Sequence, residues 1–290
     1  MRDEDLAAFV DRAQSFRGRA NGSGGNGPRG VPWGHFEFVP IGAANAFEAV
    51  DWLIDGHLEA ASLAVLYGFS GSLKTFVALH WSLCIATGLP FFGCPVRQGP
   101  VLYIAAEGRR GLGRRHAAWC SVNGIPLGSG REHVPLFRST AAGRVTDPLF
   151  MARLVALIEA MPIKPVLVVF DTVSKTFGLA KEDNESISAA LAILQVELID
   201  RFDCTVLALH HSGKDASRGA RGGSSLECDA DAMFRTIIET PKNEKDDGKP
   251  EPEIEGGTRF DYRRDKVRLT CMKMKDEAPP PDLLFGARLV

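Results

Sequence analysis

The chain has 290 residues, 45% of them hydrophobic, and a formal net charge of −2. That length and apolar fraction support a sizeable core in one large domain or two small ones. The near-zero charge excludes a broadly basic nucleic-acid coat and leaves room for a local basic lining.

The cysteines Cys84, Cys94, Cys120, Cys204, Cys228 and Cys271 are scattered and form no CxxC pair. Reduced thiols and a cytoplasmic protein are therefore expected, with a zinc site disfavoured. No apolar run reaches membrane-spanning length and the N-terminus carries no signal-peptide core, so no membrane partner is expected.

Along the chain, residues 1–16 place Leu6, Phe9, Val10 and Ala13 on one side of a short amphipathic helix, a frayed tail or a docking arm. Residues 17–30 are rich in Gly, Asn and Ser and read as a flexible linker. Residues 1–40 are assigned to this arm and linker, and 41–290 to one α/β domain. The stretch 47–58 has a helical pattern that closes at Gly56-His57-Leu58. Short apolar runs at 63–67, 101–106, 134–137, 166–170 and 205–209 predict strands covered on both faces.

Helical patterns alternate with these runs. One begins at Phe76. Another runs from Asp147-Pro148 to Met161, opened by an acidic cap and a proline. A third spans 185–202, with Ile187, Leu191, Leu194 and Leu198 on one stripe. The alternation predicts a mostly parallel sheet flanked by helices, with right-handed crossovers. After residue 230 two strands, 233–239 and 267–275, have no helix between them and are expected to be antiparallel. Their charged, Pro- and Gly-containing connection, 240–266, reads as a mobile loop. A last strand is expected within 283–290.

Between the strand at 63–67 and the helix at Phe76 lies Gly68-Phe69-Ser70-Gly71-Ser72-Leu73-Lys74-Thr75. A glycine-rich loop joining strand to helix wraps backbone N–H groups around nucleotide phosphates, and the helix N-terminus adds partial positive charge. Gly68 through Phe76 are the candidate ATP-binding residues. Lys74 reaches the β and γ phosphates, and the Thr75 hydroxyl ligates Mg²⁺. Leu73 stands where the usual pattern has glycine. Forced to positive φ it costs about 1–2 kcal/mol, against about 8 kcal/mol for micromolar binding; in a helical conformation it costs almost nothing. A chance match is the alternative, and the flanking strand and helix weigh against it.

Other polar residues stand at strand ends, where open α/β sheets bind ligands. Asp171 follows the run 166–170 and suits a second Mg²⁺ partner, or a simple helix cap. Glu107 follows 101–106 and can polarise an attacking water, or be an ordinary loop carboxylate. His211 ends the run from 205 and can sense a γ phosphate, with His210 on the other face; a structural pair is the alternative, and a zinc pair lacks a third ligand. Next comes a basic, small-residue segment, 214–225. Its Lys214, Arg218, Arg221, Ser224 and Ser225 suit DNA phosphate contact, and it lacks aromatics for base stacking; a solvated loop is the alternative. Lys273 and Lys275 alternate on one strand face, as an exposed edge or as cations reaching a neighbouring subunit's nucleotide.

These blocks together resemble the RecA-like P-loop ATPases, and more closely the AAA_25 group of RepA-type plasmid and phage helicases. The resemblance spans 52–275. Its carriers are Trp52-Leu53-Ile54-Asp55-Gly56, the phosphate loop, Val101 to Gly108, Val168-Val169-Phe170-Asp171-Thr172, His210 to Lys214, Gly219 to Ser225, and Lys273-Met274-Lys275-Asp276. The resemblance implies a ring, commonly hexameric, with ATP between subunits and single-stranded DNA in the channel. It implies Glu107 as catalytic carboxylate, Asp171 as second Mg²⁺ partner, His211 as γ-phosphate sensor and 212–225 as the DNA-facing loop. Lys273 and Lys275 match a pair acting in trans, where some relatives have Arg at the second position; lysine offers a point charge in place of a planar fork. The expected function is an ATP-driven helicase or translocase in plasmid or phage replication. A recombination or loading ATPase that does not unwind, and a nucleotide-gated scaffold without catalysis, are the alternatives; a small-molecule kinase would need an arginine-rich lid that the chain lacks.

Overall fold

Apolar runs with few polar interruptions pair on both sides and are covered on both faces, and the central strands of an eight-stranded sheet do so here. The structure is a computed structural model that describes residues 49–127, 134–179, 183–212, 223–240 and 260–287. Nearly all of these belong to one unit, Val50–Val290. The arm and linker expected over 1–30 lie outside the described residues, as do 214–222 of the basic segment and most of the connection after Thr240.

A small hairpin comes first, β1 (Trp52–Ile54) and β2 (Leu58–Glu59), paired antiparallel. This corrects the helix expected over 47–58. Gly56, at φ +66°, supplies the reversal that a helix would not contain, and Trp52 and Ile54 favour extended backbone. The main sheet comprises β3 (Leu63–Gly68), β4 (Val101–Ala105), β5 (Leu136–Arg138), β6 (Leu167–Asp171), β7 (Thr205–His211), β8 (Ala232–Glu239), β9 (Lys266–Met274) and β10 (Leu283–Gly286). Its order is β10-β9-β8-β3-β7-β6-β4-β5. From β8 to β5 all neighbours are parallel, while β9 and β10 run antiparallel. This is the mostly parallel α/β core of a RecA-like ATPase with antiparallel C-terminal strands, as the pattern of runs predicts.

The helices are α1 (Lys74–Thr87), α2 (Arg109–Val122), α3 (Pro148–Ala160), α4 (Val173–Thr176), α5 (Asn184–Leu194), α6 (Asp200–Phe202) and α7 (Gly223–Asp229); a π-helical turn at Gln195–Ile199 joins α5 to α6. Asp147 caps α3 by accepting from the Leu149 N–H, with Pro148 in the first turn. Strand alternation divides the core in two. On one face Leu66, Tyr103, Val169 and Leu209 meet Trp81, Leu83 and Ile85 of α1. On the other, Val65, Ile104, Phe170 and Ala208 meet Leu154 and Ile158 of α3 and the expected stripe Ile187, Leu191, Leu194 and Leu198. Each such aliphatic or aromatic side chain contributes about 1.5–3 kcal/mol on burial. Among the described residues no helix is long and apolar enough to cross a membrane.

Candidate functional site

Four adjacent parallel strands, β3, β7, β6 and β4, end along one edge of the sheet. The chain leaves β3 at Gly68, where a Cβ would lie 2.6 Å from both the carbonyl and the hydroxyl of Thr236 and 2.7 Å from the Ser72 hydroxyl. Only glycine fits that approach. Gly71 turns the loop at φ +87°, and Ser72 Oγ ties it to β8 by a 2.8 Å hydrogen bond with Thr236 Oγ1. Leu73 sits at φ +63°, ψ +21°, so the left-handed strain is real, about 1–2 kcal/mol. It precedes α1, whose first turn holds no acidic residue and has no side-chain cap. The end of the helix therefore presents free positive potential and amide donors to the loop.

Lys74 is buried. Its Nζ donates to the carbonyls of Gly68 at 2.9 Å and Phe69 at 2.8 Å and lies 3.3 Å from His211 Nδ1. Burial pulls its pKa down to about 8, against the opposing pull of the Asp171 and Glu107 carboxylates. His211 is in register with Gly68 across the β3–β7 pair, and Ser212 N–H donates to the Gly68 carbonyl at 3.0 Å. The strand pairing thus fixes the histidine beside the phosphate loop.

Thr75 Oγ1 donates to Asp171 Oδ2 at 3.0 Å, and Tyr103 Oη donates to the same oxygen at 2.8 Å. Burial raises the Asp171 pKa, opposed by these two hydrogen bonds. Burial, with Asp171 beside it, holds the Tyr103 phenol well above its usual range. Ala105 pairs with Asp171 across β4–β6, and Ala106 N–H donates to the Asp171 carbonyl at 2.8 Å. This pairing brings the exposed Glu107 into the group, where its charge is felt by both Lys74 and Asp171. Sequence reasoning missed Tyr103 and Arg115. The only available sign of Tyr103 was that a tyrosine in a buried strand needs a partner for its hydroxyl. Arg115 of α2 lies over the exposed Phe76 ring, with Cζ 4.5 Å from the ring centroid.

The two C-terminal lysines lie elsewhere. Lys273 pairs with Met233 and Met274 with Ala232, while Ala232 and Ala64 pair near the start of β3. At about 3.3 Å per residue this is roughly 10 Å or more from the chain's own phosphate loop, at the opposite edge. Lys273 Nζ donates to the carbonyls of Glu227 and Ala230, both at 2.6 Å, and to that of Cys228 at 3.3 Å, where α7 ends. Lys275 Nζ reaches Asp231 Oδ1 at 3.3 Å. Lys214, Arg218 and Arg221 lie outside the described residues, and Ser224 and Ser225 belong to α7, so the segment expected to be a loop through 225 is helical from Gly223.

The donor set suits Mg²⁺ with a nucleotide. A hydroxyl and a carboxylate are hard oxygen donors, and Mg²⁺ takes one or two such groups plus substrate phosphates and water. Among the described residues no cluster of three or more His, Cys, Asp or Glu could hold a metal by itself. The glycine cradle and the uncapped start of α1 suit the phosphates.

A family model for an AAA domain, AAA_25, matches residues 35–217. Among curated proteins none matches. The matched span covers the phosphate loop, Glu107, Asp171 and His211 and ends before Lys273.

Proposed function

The chain belongs to the AAA_25 family of AAA domains, which makes it a P-loop ATPase, and on that premise we propose that it is a ring-forming motor on single-stranded DNA, a helicase or translocase of plasmid or phage replication. The observation that carries the reading is the 3.3 Å approach of Lys74 Nζ to His211 Nδ1 at the last residues of β7. After Ser212-Gly213 comes the basic segment holding Lys214, Arg218 and Arg221. A change at the phosphate end of Lys74 is thereby transmitted to the segment that meets DNA.

Each residue has a task in hydrolysis. Thr75 and Asp171 would hold Mg²⁺, which neutralises charge on the phosphate oxygens when bound. The loop amides from Gly68 to Thr75, with Phe76 following, embrace the phosphates. Lys74 exchanges its two carbonyl partners for phosphate oxygens. Glu107, on the solvent side, accepts a proton from the attacking water. His211 contacts the γ phosphate and moves when that group leaves. Lys273 and Lys275 are too far from their own phosphate loop to act there, which supports service to a neighbouring copy in a ring, a hexamer by family resemblance. For Lys273 that service requires leaving the carbonyls of α7.

The test is phosphate release from ATP with and without single-stranded DNA, alongside opening of a forked duplex. The expected result is DNA-stimulated hydrolysis, lost in Lys74→Ala, with fork opening. Stimulated hydrolysis without fork opening would move the assignment to an ATPase that does not unwind. Undiminished hydrolysis in Lys74→Ala would refute it.

A further inference from the structure

The stretch 108–146 holds seven arginines, no lysine and a single carboxylate, Glu132, an excess of six positive charges in a chain whose net charge is −2. Within it, Arg138-Ser139-Thr140-Ala141-Ala142-Gly143-Arg144 sets two arginines around five small residues. The same mixture of cations and small residues fills 214–225. Guanidinium groups with nothing bulky between them let a phosphate backbone approach closely.

The fold anchors this segment at both ends. Arg138 closes β5, the last strand of the sheet, which runs parallel to β4. Ser139 N–H donates to the Tyr103 carbonyl at 2.9 Å, and Ser139 Oγ accepts from the Ala105 N–H at 3.1 Å. At the far end Val145 N–H donates to the Thr176 carbonyl at 2.7 Å, and Thr146 Oγ1 donates to that of Phe177 at 2.8 Å. Between them Gly143 packs so closely that a Cβ would lie 1.9 Å from the Phe150 ring. Arg109 Nη1 donates to the Thr140 carbonyl at 2.7 Å, which ties the first turn of α2 to the segment. Arg110 follows, and Arg114 stands one turn on along the same helix face. Arg110, Arg114, Arg138 and Arg144 are all exposed, and among the described residues no carboxylate pairs with them. Elsewhere Arg97, Arg201, Arg264 and Arg268 are each held by carboxylates. Like charges fixed on an anchored surface repel one another, and an anionic partner relieves that cost.

The position of the patch selects the anion. Strand β5 ends on the same sheet edge as β7, and β7 leads into 214–225. Three strand spacings separate the two, about 14 Å, or roughly four phosphates of a stacked strand. We propose that Arg138 and Arg144, with Arg110 and Arg114 beside them, form a second DNA site that holds the phosphate backbone of the same strand without reading its bases. The assignment rests on the reading of 214–225 as the DNA-facing segment, and it extends the DNA track along the sheet edge as far as β5.

The experiment is a salt titration of binding to a fluorescein-labelled single-stranded oligothymidine, followed by anisotropy with Mg²⁺–ATPγS, on the full chain and its Arg138→Gln/Arg144→Gln variant. Each phosphate neutralised on a single strand contributes about 0.7 to the slope of log K against log salt. The expected result is a slope shallower by about 1.4 and an affinity weaker by roughly two- to thirtyfold, with the mass of the assembly by light scattering unchanged. Arg110→Gln/Arg114→Gln should lower the slope by the same amount, and it gives a second reading if the first variant does not fold. Arg153→Gln/Lys266→Gln removes the same charge from exposed positions outside the patch and should keep the parental slope. An unchanged slope in the patch variants, or an equal change in this control, overturns the proposal. So does a smaller assembly, which would assign the arginines to a contact between copies. A parent that binds no oligothymidine would sink the DNA reading itself, whereas a parent that binds, with patch variants that bind alike, would sink only the second site.

Discussion

Lys74 gives a pH dependence whose sign follows from its burial. Its pKa in the folded chain is about 8, against 10.5 for an ordinary lysine. Below about pH 8 the folded and unfolded chains both carry the proton, so the full cost of burying the charge is present. As pH rises from about 8 to 10.5 the folded chain releases its proton first, and that cost is lifted. The difference corresponds to about 3 kcal/mol of added stability across the window. The assay is urea unfolding of the parent and Lys74→Met at half-unit steps from pH 7.5 to 10.5. Subtracting the two curves removes the other titrating groups. The subtracted stability should rise with pH, while Mg²⁺–ATPγS affinity falls by up to about tenfold per pH unit above pH 8, because binding must restore the proton. A flat or falling difference would refute the burial argument.

Three further outcomes follow from the same geometry. Leu73→Gly relieves about 1–2 kcal/mol of left-handed strain and returns about 0.5–1 kcal/mol in unfolded-chain entropy, so thermal unfolding should show a gain of up to about 1.5 kcal/mol; a loss would mean the half-buried Leu73 side chain contributes more packing than the strain costs. Tyr103→Phe removes one of the two hydrogen bonds to Asp171 Oδ2, at about 1.5–3 kcal/mol. With that restraint gone the Asp171 pKa rises further, and the Mg²⁺ concentration for half-maximal ATPase should rise, most at low pH; an unchanged Mg²⁺ requirement would remove Tyr103 from the site. Lys273→Met strips three acceptors at the end of α7, and amide hydrogen exchange over 223–230 should quicken by roughly tenfold or more; unchanged protection would show that the clamp contributes nothing.

Much of this arrangement was legible in the chain because the physics was local. The phosphate loop joins strand to helix within eight residues, and the central parallel strands β3, β4, β6 and β7 announced themselves as apolar runs. Asp171, Glu107 and His211 could be placed because a polar residue ending a buried strand has only one edge on which to emerge. The hairpin at Trp52–Glu59 was misread because Leu53, Ile54 and Leu58 also fit a helical stripe, and the turn at Gly56 decided between them. Helix α2 was hidden by its glycines and arginines, with only Leu112 and Cys120 buried along it. The Tyr103–Asp171 hydrogen bond joins residues 68 apart in sequence, and the stacking of Arg115 on Phe76 depends on how two helices meet. Neither leaves a trace in a single sequence. The clamp of Lys273 on α7 was likewise invisible, since backbone carbonyls carry no residue signature.

The most direct measurement is single-turnover phosphate release from ATP, with and without single-stranded DNA, in the parent and in Glu107→Gln. The expected result is a DNA-stimulated rate in the parent and a fall of roughly a hundredfold or more in the variant, with ATP still bound. Release that ignores DNA, or that persists at the parental rate without the Glu107 carboxylate, would contradict the assignment of a DNA-driven ATPase to this sheet edge.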